Sequence, residues 1–283
     1  MTLEMLKLPI SDWVDTFVWF LIDNLGPLFD AITFVLGSIV SSLESSFLWV
    51  PVPVMIIIIV LLGWKFGGRG VAIFNVLTLL LLVSMELWDQ TMSTLALIIA
   101  ATLVALVIGI PMGIWASRSD PVWRVIRPIL DLMQTLPIFV YLIPAVMLFG
   151  IGMVPAAIAT IVFSMPPAIR LTNLGIRHVP KEVIEAAAAF GSTKRQILTK
   201  VQLPLAMPSI MAGVNQVIML SLSMVVIAAM IGAGGLGGVV YRAITRMEIG
   251  TGAEGGIAVV ILAVILDRIT QSFGKGPAKS EES

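Results

Sequence analysis

Apolar positions in this chain gather into long blocks separated by short polar gaps, rather than into the alternations or narrow stripes of a water-soluble domain. Seven blocks are long enough, or nearly so, to cross a hydrocarbon core about 30 Å thick. They fall at roughly 50–64, 70–88, 92–116, 129–150, 153–170, 208–231 and 254–271. Lipid offers no partner to backbone N–H and C=O groups, so each block is expected to be an α-helix. Residues 8–48 differ. Trp13, Phe17 and Leu21, then Ile32, Val35, Ile39, Leu43 and Phe47, recur at near-helical spacing but are interrupted by Asp23, Asp30 and Glu44. That pattern reads as amphipathic helices lying at the outer interface. A span over roughly 28–48 would instead place the N-terminus inside and give eight crossings, leaving everything downstream unchanged. The expected order is an N-terminal region 1–49, two peripheral helices within 50–88, a core over 89–272 and a polar tail 273–283.

Composition agrees with an all-α polytopic membrane protein. Hydrophobic residues make up 58% and charged residues 12%, half the roughly 25% charge of soluble domains. No basic n-region leads into a short apolar segment with a small-residue cleavage site, so no removable signal peptide is expected. The net charge is zero, which argues against a nucleic-acid partner. Cysteine is absent, excluding disulfides, iron–sulfur clusters and thiol nucleophiles, and the lone His178 gives no support to a metal site.

Charge gains meaning by position. Alternate linkers hold Lys65 and Arg69, then Arg118, Arg124 and Arg127, then Arg170, Arg177, Lys181, Lys194, Arg195 and Lys200, then Arg268, Lys275 and Lys279, 14 of the 17 basic residues. The intervening segments keep only Lys7, Arg242 and Arg246, beside acids that include Asp12, Asp15, Glu86, Asp89, Glu248 and Glu254. By the positive-inside rule the basic set, and with it the C-terminus, is cytoplasmic.

The longest cytoplasmic gap has a structure of its own. Pro180 suits a first helical turn, Lys181–Phe190 is alanine-rich, and Gly191 can end a helix in the left-handed conformation. Ser192 can cap a second helix carrying Ile197, Leu198 and Val201 on one side. Such a pair either lies flat on the headgroups, held by Lys194, Arg195 and Lys200, or forms a compact knob fitted to a partner's groove.

Nothing here binds nucleotide. No G-x-x-x-x-G-K-[ST] occurs, and the G-x-G-x-x-G over Gly232–Gly237 follows an apolar helix rather than a strand, so it reads as an irregular outer loop. No spans carry the paired carboxylates, histidines or cysteines of intramembrane enzymes. Pro111, Pro137, Pro144, Pro166 and Pro167 predict breaks in three spans, where freed backbone groups face protein or a water-filled path. Candidate path residues are Gln134 and Thr135 at the start of the fourth span and Asn215, Gln216, Met219, Ser221, Ser223 and Met224 in the sixth. Small and hydroxyl residues also glue helices together, and Gly109–Gly113 is a G-x-x-x-G packing surface. The spans lack a lone mid-span charge, Asp131 and Asp267 lying near cytoplasmic ends, which disfavours an ion-coupled secondary carrier.

The run Glu185-Ala186-Ala187, with Gly191 and then Val201-Gln202-Leu203-Pro204, resembles the EAA coupling loop of the permease subunits of ATP-binding-cassette (ABC) importers. Leu130–Pro137, Phe163–Arg170 and Leu222–Gly232 resemble the glycine betaine/proline betaine permeases of osmoprotectant importers, over about residues 90–272. The resemblance implies a type I importer of the prokaryotic cytoplasmic membrane in which two copies of this chain pair with two ATPase subunits and an extracytoplasmic substrate-binding protein. ATP and magnesium would then sit on the ATPase, with no cofactor in this chain. Glu185, Ala186, Ala187, Gly191, Leu203 and Pro204 would couple the two by alternating access, and the binding protein would cage a quaternary ammonium through cation–π contacts. An importer permease for choline, carnitine, proline or methionine is the nearest alternative.

Overall fold

The computed structural model describes residues 9–274, and every regular element within them is helical. Lys7, Lys275, Lys279 and nearly all of the polar tail lie outside the described residues. Among the described residues six helical stretches are long and apolar enough by length and composition to cross a bilayer, or seven if one bent pair counts as a span, with the kinked stretch Val52–Ser84 counted once.

The N-terminal region is one helix, α1 (Ile10–Trp49), rather than several. Its 40 residues rise about 60 Å, twice the hydrocarbon thickness. Only Val18, Leu36 and Val40 are buried along it. Ser93 donates to the Glu44 carboxylate, Val40 clusters with Leu97 and Leu36 with Ala101. These three successive turns set the C-terminal half of α1 antiparallel to α3 (Trp88–Arg118). That is the course a 28–48 span would take, not that of helices confined to a surface.

The first two expected spans are the arms of a hairpin, α2 (Val52–Ser84), which turns at Gly68 with φ 79°. Asn75 Nδ2 donates to the Ile59 carbonyl at 3.3 Å, closing arm on arm. Each arm of roughly 15 residues rises about 22 Å, somewhat short of a full crossing.

The fourth expected span, 129–150, is not one helix. It divides into α4 (Asp120–Thr135) and α5 (Ile138–Phe149), bent by 100°. Pro137 is the cause: the residue before a proline is pushed out of the helical region, and Leu136 sits at φ −65°, ψ 136°. Tyr141 donates its hydroxyl back to the Met133 carbonyl across the bend. Pro111 and Pro144, by contrast, are absorbed within continuous helices.

The centre of the molecule is α3 packed on α7 (Pro166–Arg177), which continues α6 (Met153–Ser164), and on α10 (Leu203–Ser223). Lipid tails are as apolar as leucine, so close approach through small residues does what hydrophobicity does in water. A Cβ on Gly109 would stand 2.9 Å from that of Ala168, one on Gly113 2.6 Å from Thr172 Cβ, and one on Gly175 2.7 Å from Ser209 Cβ. The G-x-x-x-G surface is therefore a seam within this chain. Beyond α10 come the short α11 (Val225–Ala229), then α12 (Gly235–Arg246), which turns back on α13 (Ile249–Gly274).

Candidate functional site: a helix–glycine–helix knob

Between α7 and α10 stand α8 (Lys181–Ala189) and α9 (Lys194–Ile197). Pro180 precedes α8 with φ −55°. At its other end Gly191 N donates to Ala188 O at 2.9 Å and Ser192 N to Ala187 O at 3.1 Å. This pair of bonds is a Schellman closure, which requires a left-handed residue. Gly191 supplies it with φ 79°, and open space surrounds its missing Cβ. Glycine is thus needed for conformation, not for room.

The second helix is capped by Thr193, not by Ser192. Gln196 N donates to Thr193 Oγ1 at 3.3 Å while Thr193 N donates to Gln196 Oε1 at 2.8 Å, a reciprocal capping box. Only Thr193 has a Gln three positions on, which decides between the two hydroxyls. From Leu198 to Gln202 the helix widens to a π turn, Leu203 N reaching back to Leu198 O. Pro204 and Pro208 follow, each lacking an N–H for the ordinary ladder.

The knob is anchored at its base and free at its tip. Leu198 is buried with Ile176, Ala206 and Ile210, and Leu203 packs beside them. No residue of α8 is buried, and Phe190 is 92% exposed. Glu185, Ala186 and Gly191 are exposed, Ala187 and Leu203 half-buried and Pro204 exposed. A rigid, alanine-faced projection ending in an exposed aromatic can seat in a complementary groove, helix into groove.

Two ion pairs fix the ground on which the knob stands. Arg170 meets Asp131 at 2.6 Å and Arg177 meets Asp120 at 2.6 Å. Arg177 also donates to Asn173 Oδ1 at 2.9 Å and to the Ala116 carbonyl at 2.9 Å, joining α3, α4 and α7 at one end. Sequence reading counted these residues as charge and missed the joint, since partners 57 positions apart leave no local signal.

The candidate path residues divide. Gln216, Met219 and Ser223, at i, i+3 and i+7, share one exposed face of α10, with Asn215 at its edge and its Oδ1 lacking a partner. Ser221 is buried and accepts from Thr102 Oγ1 at 3.4 Å, while Met224 is fully buried against Leu142 and Ala159. These two face neighbouring helices. Gln134 and Thr135 are exposed on the last turn before the α4–α5 bend, apart from the α10 face in sequence.

The glycine run closes the opposite end. Gly152 N donates to Ile231 O at 2.9 Å and Leu236 N to Thr94 Oγ1 at 2.8 Å. A Cβ on Gly237 would overlap the Val225 carbonyl oxygen. Close backbone approach, not phosphate binding, accounts for these glycines.

A bundle of membrane-length helices with a bent pair and an exposed helical knob between two of them is the transmembrane fold of type I ABC importers. Residues 105–277 match the family described as binding-protein-dependent transport system inner membrane component. The chain belongs to that family. It is 48% identical to the glycine betaine transport system permease protein OpuAB of Bacillus subtilis (strain 168), over 94% of this chain and 95% of the relative. It is 50% identical to the glycine betaine/carnitine transport permease protein GbuB of Listeria monocytogenes serotype 1/2a (strain 10403S), over 97% and 98%. Against the glycine betaine/proline betaine transport system permease protein ProW of Escherichia coli (strain K12) the identity is 48%, over 95% of this chain and 76% of the relative. Among solved structures, the inward-facing MetNI methionine ABC transporter superposes with TM-score 0.56 at 26% identity, over 66% of this chain and 92% of that one.

Proposed function

We propose that this chain is the permease subunit of an ATP-driven importer for glycine betaine or a related quaternary ammonium osmoprotectant, and that the 180–204 loop is where it meets a separate ATPase. The observation that carries the coupling reading is the knob itself: a projection closed by a Schellman turn and a capping box and anchored at its base, whose tip residue Phe190 is exposed among the described residues. The substrate reading draws support from relatives at 48% and 50% identity named for glycine betaine transport.

In this reading Glu185, Ala186 and Ala187 face the ATPase groove, Gly191 keeps the bend, and Leu203 and Pro204 link the knob to α10. ATP and magnesium bind on the ATPase, which closes on nucleotide and draws two coupling loops together, tilting α7 and α10 of each copy. The permease acts as a homodimer. Gln216, Met219 and Ser223 line the path between copies, with Gln134 and Thr135 nearby, and alternating access follows from differential stability of the two states with nucleotide bound. A zwitterion passes a wall of amide, hydroxyl and thioether groups without a fixed charge to trap it. The extracytoplasmic binding protein delivers the solute to the acidic face, and the C-terminus lies on the ATPase side.

The test is uptake of labelled glycine betaine into proteoliposomes holding this permease with its ATPase and binding protein. Accumulation that needs ATP and no ion gradient is expected, with carnitine as competitor. Uptake driven by an ion gradient alone would overturn the coupling reading; ATPase stimulation without betaine uptake would overturn the substrate.

A further inference from the structure

We propose that the crevice between the α2 hairpin and the core is a binding site for one acyl chain of a membrane phospholipid. The proposal rests on the chain being membrane-embedded and not on which solute it carries. The hairpin leans on α13. Between it, α13 and α3 the side chains leave a cavity of about 310 Å³. Buried Leu79 and Met92 form the floor, half-buried Leu266 a wall, and exposed Ile58 and Leu62 the rim.

Water does not belong there. Thr91 is the one polar side chain on the lining, and it already donates its hydroxyl to the Leu87 carbonyl at 2.7 Å. A buried water needs roughly two to four polar partners. An empty cavity of this size forfeits dispersion contacts along every wall. The rim opens on a surface made of apolar side chains, with Ile57, Leu61, Leu77 and Leu80 exposed on the same hairpin. The apolar molecule that such a surface meets is lipid.

The size fits a chain rather than a headgroup. At about 30 Å³ per water- or methylene-sized group, the 310 Å³ accept a run of about ten carbons. No charged side chain lines the cavity, so the site selects the tail and is indifferent to the headgroup. Its stabilisation comes from packing, because the chain passes from one apolar medium to another. An acyl chain lodged there would tie the hairpin to α3.

The experiment places the permease, with its ATPase, in nanodiscs containing a trace of phosphatidylcholine carrying a diazirine midway along one acyl chain. After irradiation, adducts are mapped residue by residue. They are expected to concentrate on Leu62, Leu79 and Leu266 relative to Phe34 and Leu77, which are exposed outside the cavity. Leu266→Trp, which fills the space, should lower cavity labelling about tenfold, the ratio that ~1.4 kcal/mol of site preference produces, and leave Phe34 and Leu77 labelled as before. Leu62→Trp narrows the mouth from a rim position already exposed, so it should give the same loss even if the first variant folds poorly. Labelling in the cavity equal to that at Phe34 and Leu77, or unchanged in Leu62→Trp, overturns the proposal.

Discussion

At Gly191 a single dihedral angle decides whether the knob exists. A residue with a Cβ pays about 1–2 kcal/mol in the left-handed region, and a β-branched one more. Gly191→Val should therefore abolish ATPase stimulation and uptake while the protein still inserts, and Gly191→Ala should keep a reduced rate, since nothing crowds its Cβ. Parallel uptake and ATPase assays of the two variants check this; equal loss in both would point to a contact made by the glycine surface instead. Thr193 offers a second residue-scale test. Thr193→Ala removes a capping box and should destabilise α9 by about 1 kcal/mol, whereas Ser192→Ala should change stability by less than about half of that. Amide hydrogen exchange at 194–197 distinguishes them.

Among the elements, α4 joins α7 through two ion pairs as well as through Ile126 and Leu130, which are buried with Ala116 and Ile169. Its two ion pairs are partly exposed, Asp120 being 76% exposed, and exposed pairs are worth about 0–1 kcal/mol. Asp120→Asn should accordingly lower the melting temperature little. Arg177→Ala should lower it clearly more, because the guanidinium also satisfies Asn173 and the Ala116 carbonyl at the end of α3. Thermal unfolding of the two variants in detergent tests the ranking; equal shifts would mean that the ion pair alone is what matters. In the fourth span, 129–150, sequence reading expected breaks at both Pro137 and Pro144. The structure divides the span at Pro137, where Leu136 leaves the helix, and keeps Pro144 inside a continuous α5.

For the molecule as a whole, the absence of cysteine makes its orientation directly measurable. Phe190→Cys and Met247→Cys each place a single thiol on an exposed residue, at opposite ends of the bundle. With the basic linkers inside, a membrane-impermeant maleimide added to intact spheroplasts should label the cysteine at position 247 and reach the one at 190 only after lysis. Labelling of position 190 in intact cells would reverse the orientation and place the proposed coupling loop where no ATP is present.

The sequence by itself determined the class of molecule, and it supplied the orientation expected from charge and the stretch proposed as the coupling loop. These follow from quantities local to the chain: apolar length against bilayer thickness, the count of lysine and arginine per linker, and a glycine between two helix-forming stretches. Tertiary structure alone decided the rest. Asp120 finds Arg177 and Asp131 finds Arg170 only once α4 has turned through 100° beside α7. Ser221 and Gln216 are both uncharged residues of α10, yet one is buried and the other exposed, because α10 presents different faces to α3 and to the surface. The aspartates of α1 suggested an interfacial course, but its fit against α3 depends on Leu36, Val40 and Glu44 meeting partners about 50 to 65 residues away. Such contacts are set by how helices pack, and a one-dimensional pattern holds no record of which face meets which neighbour.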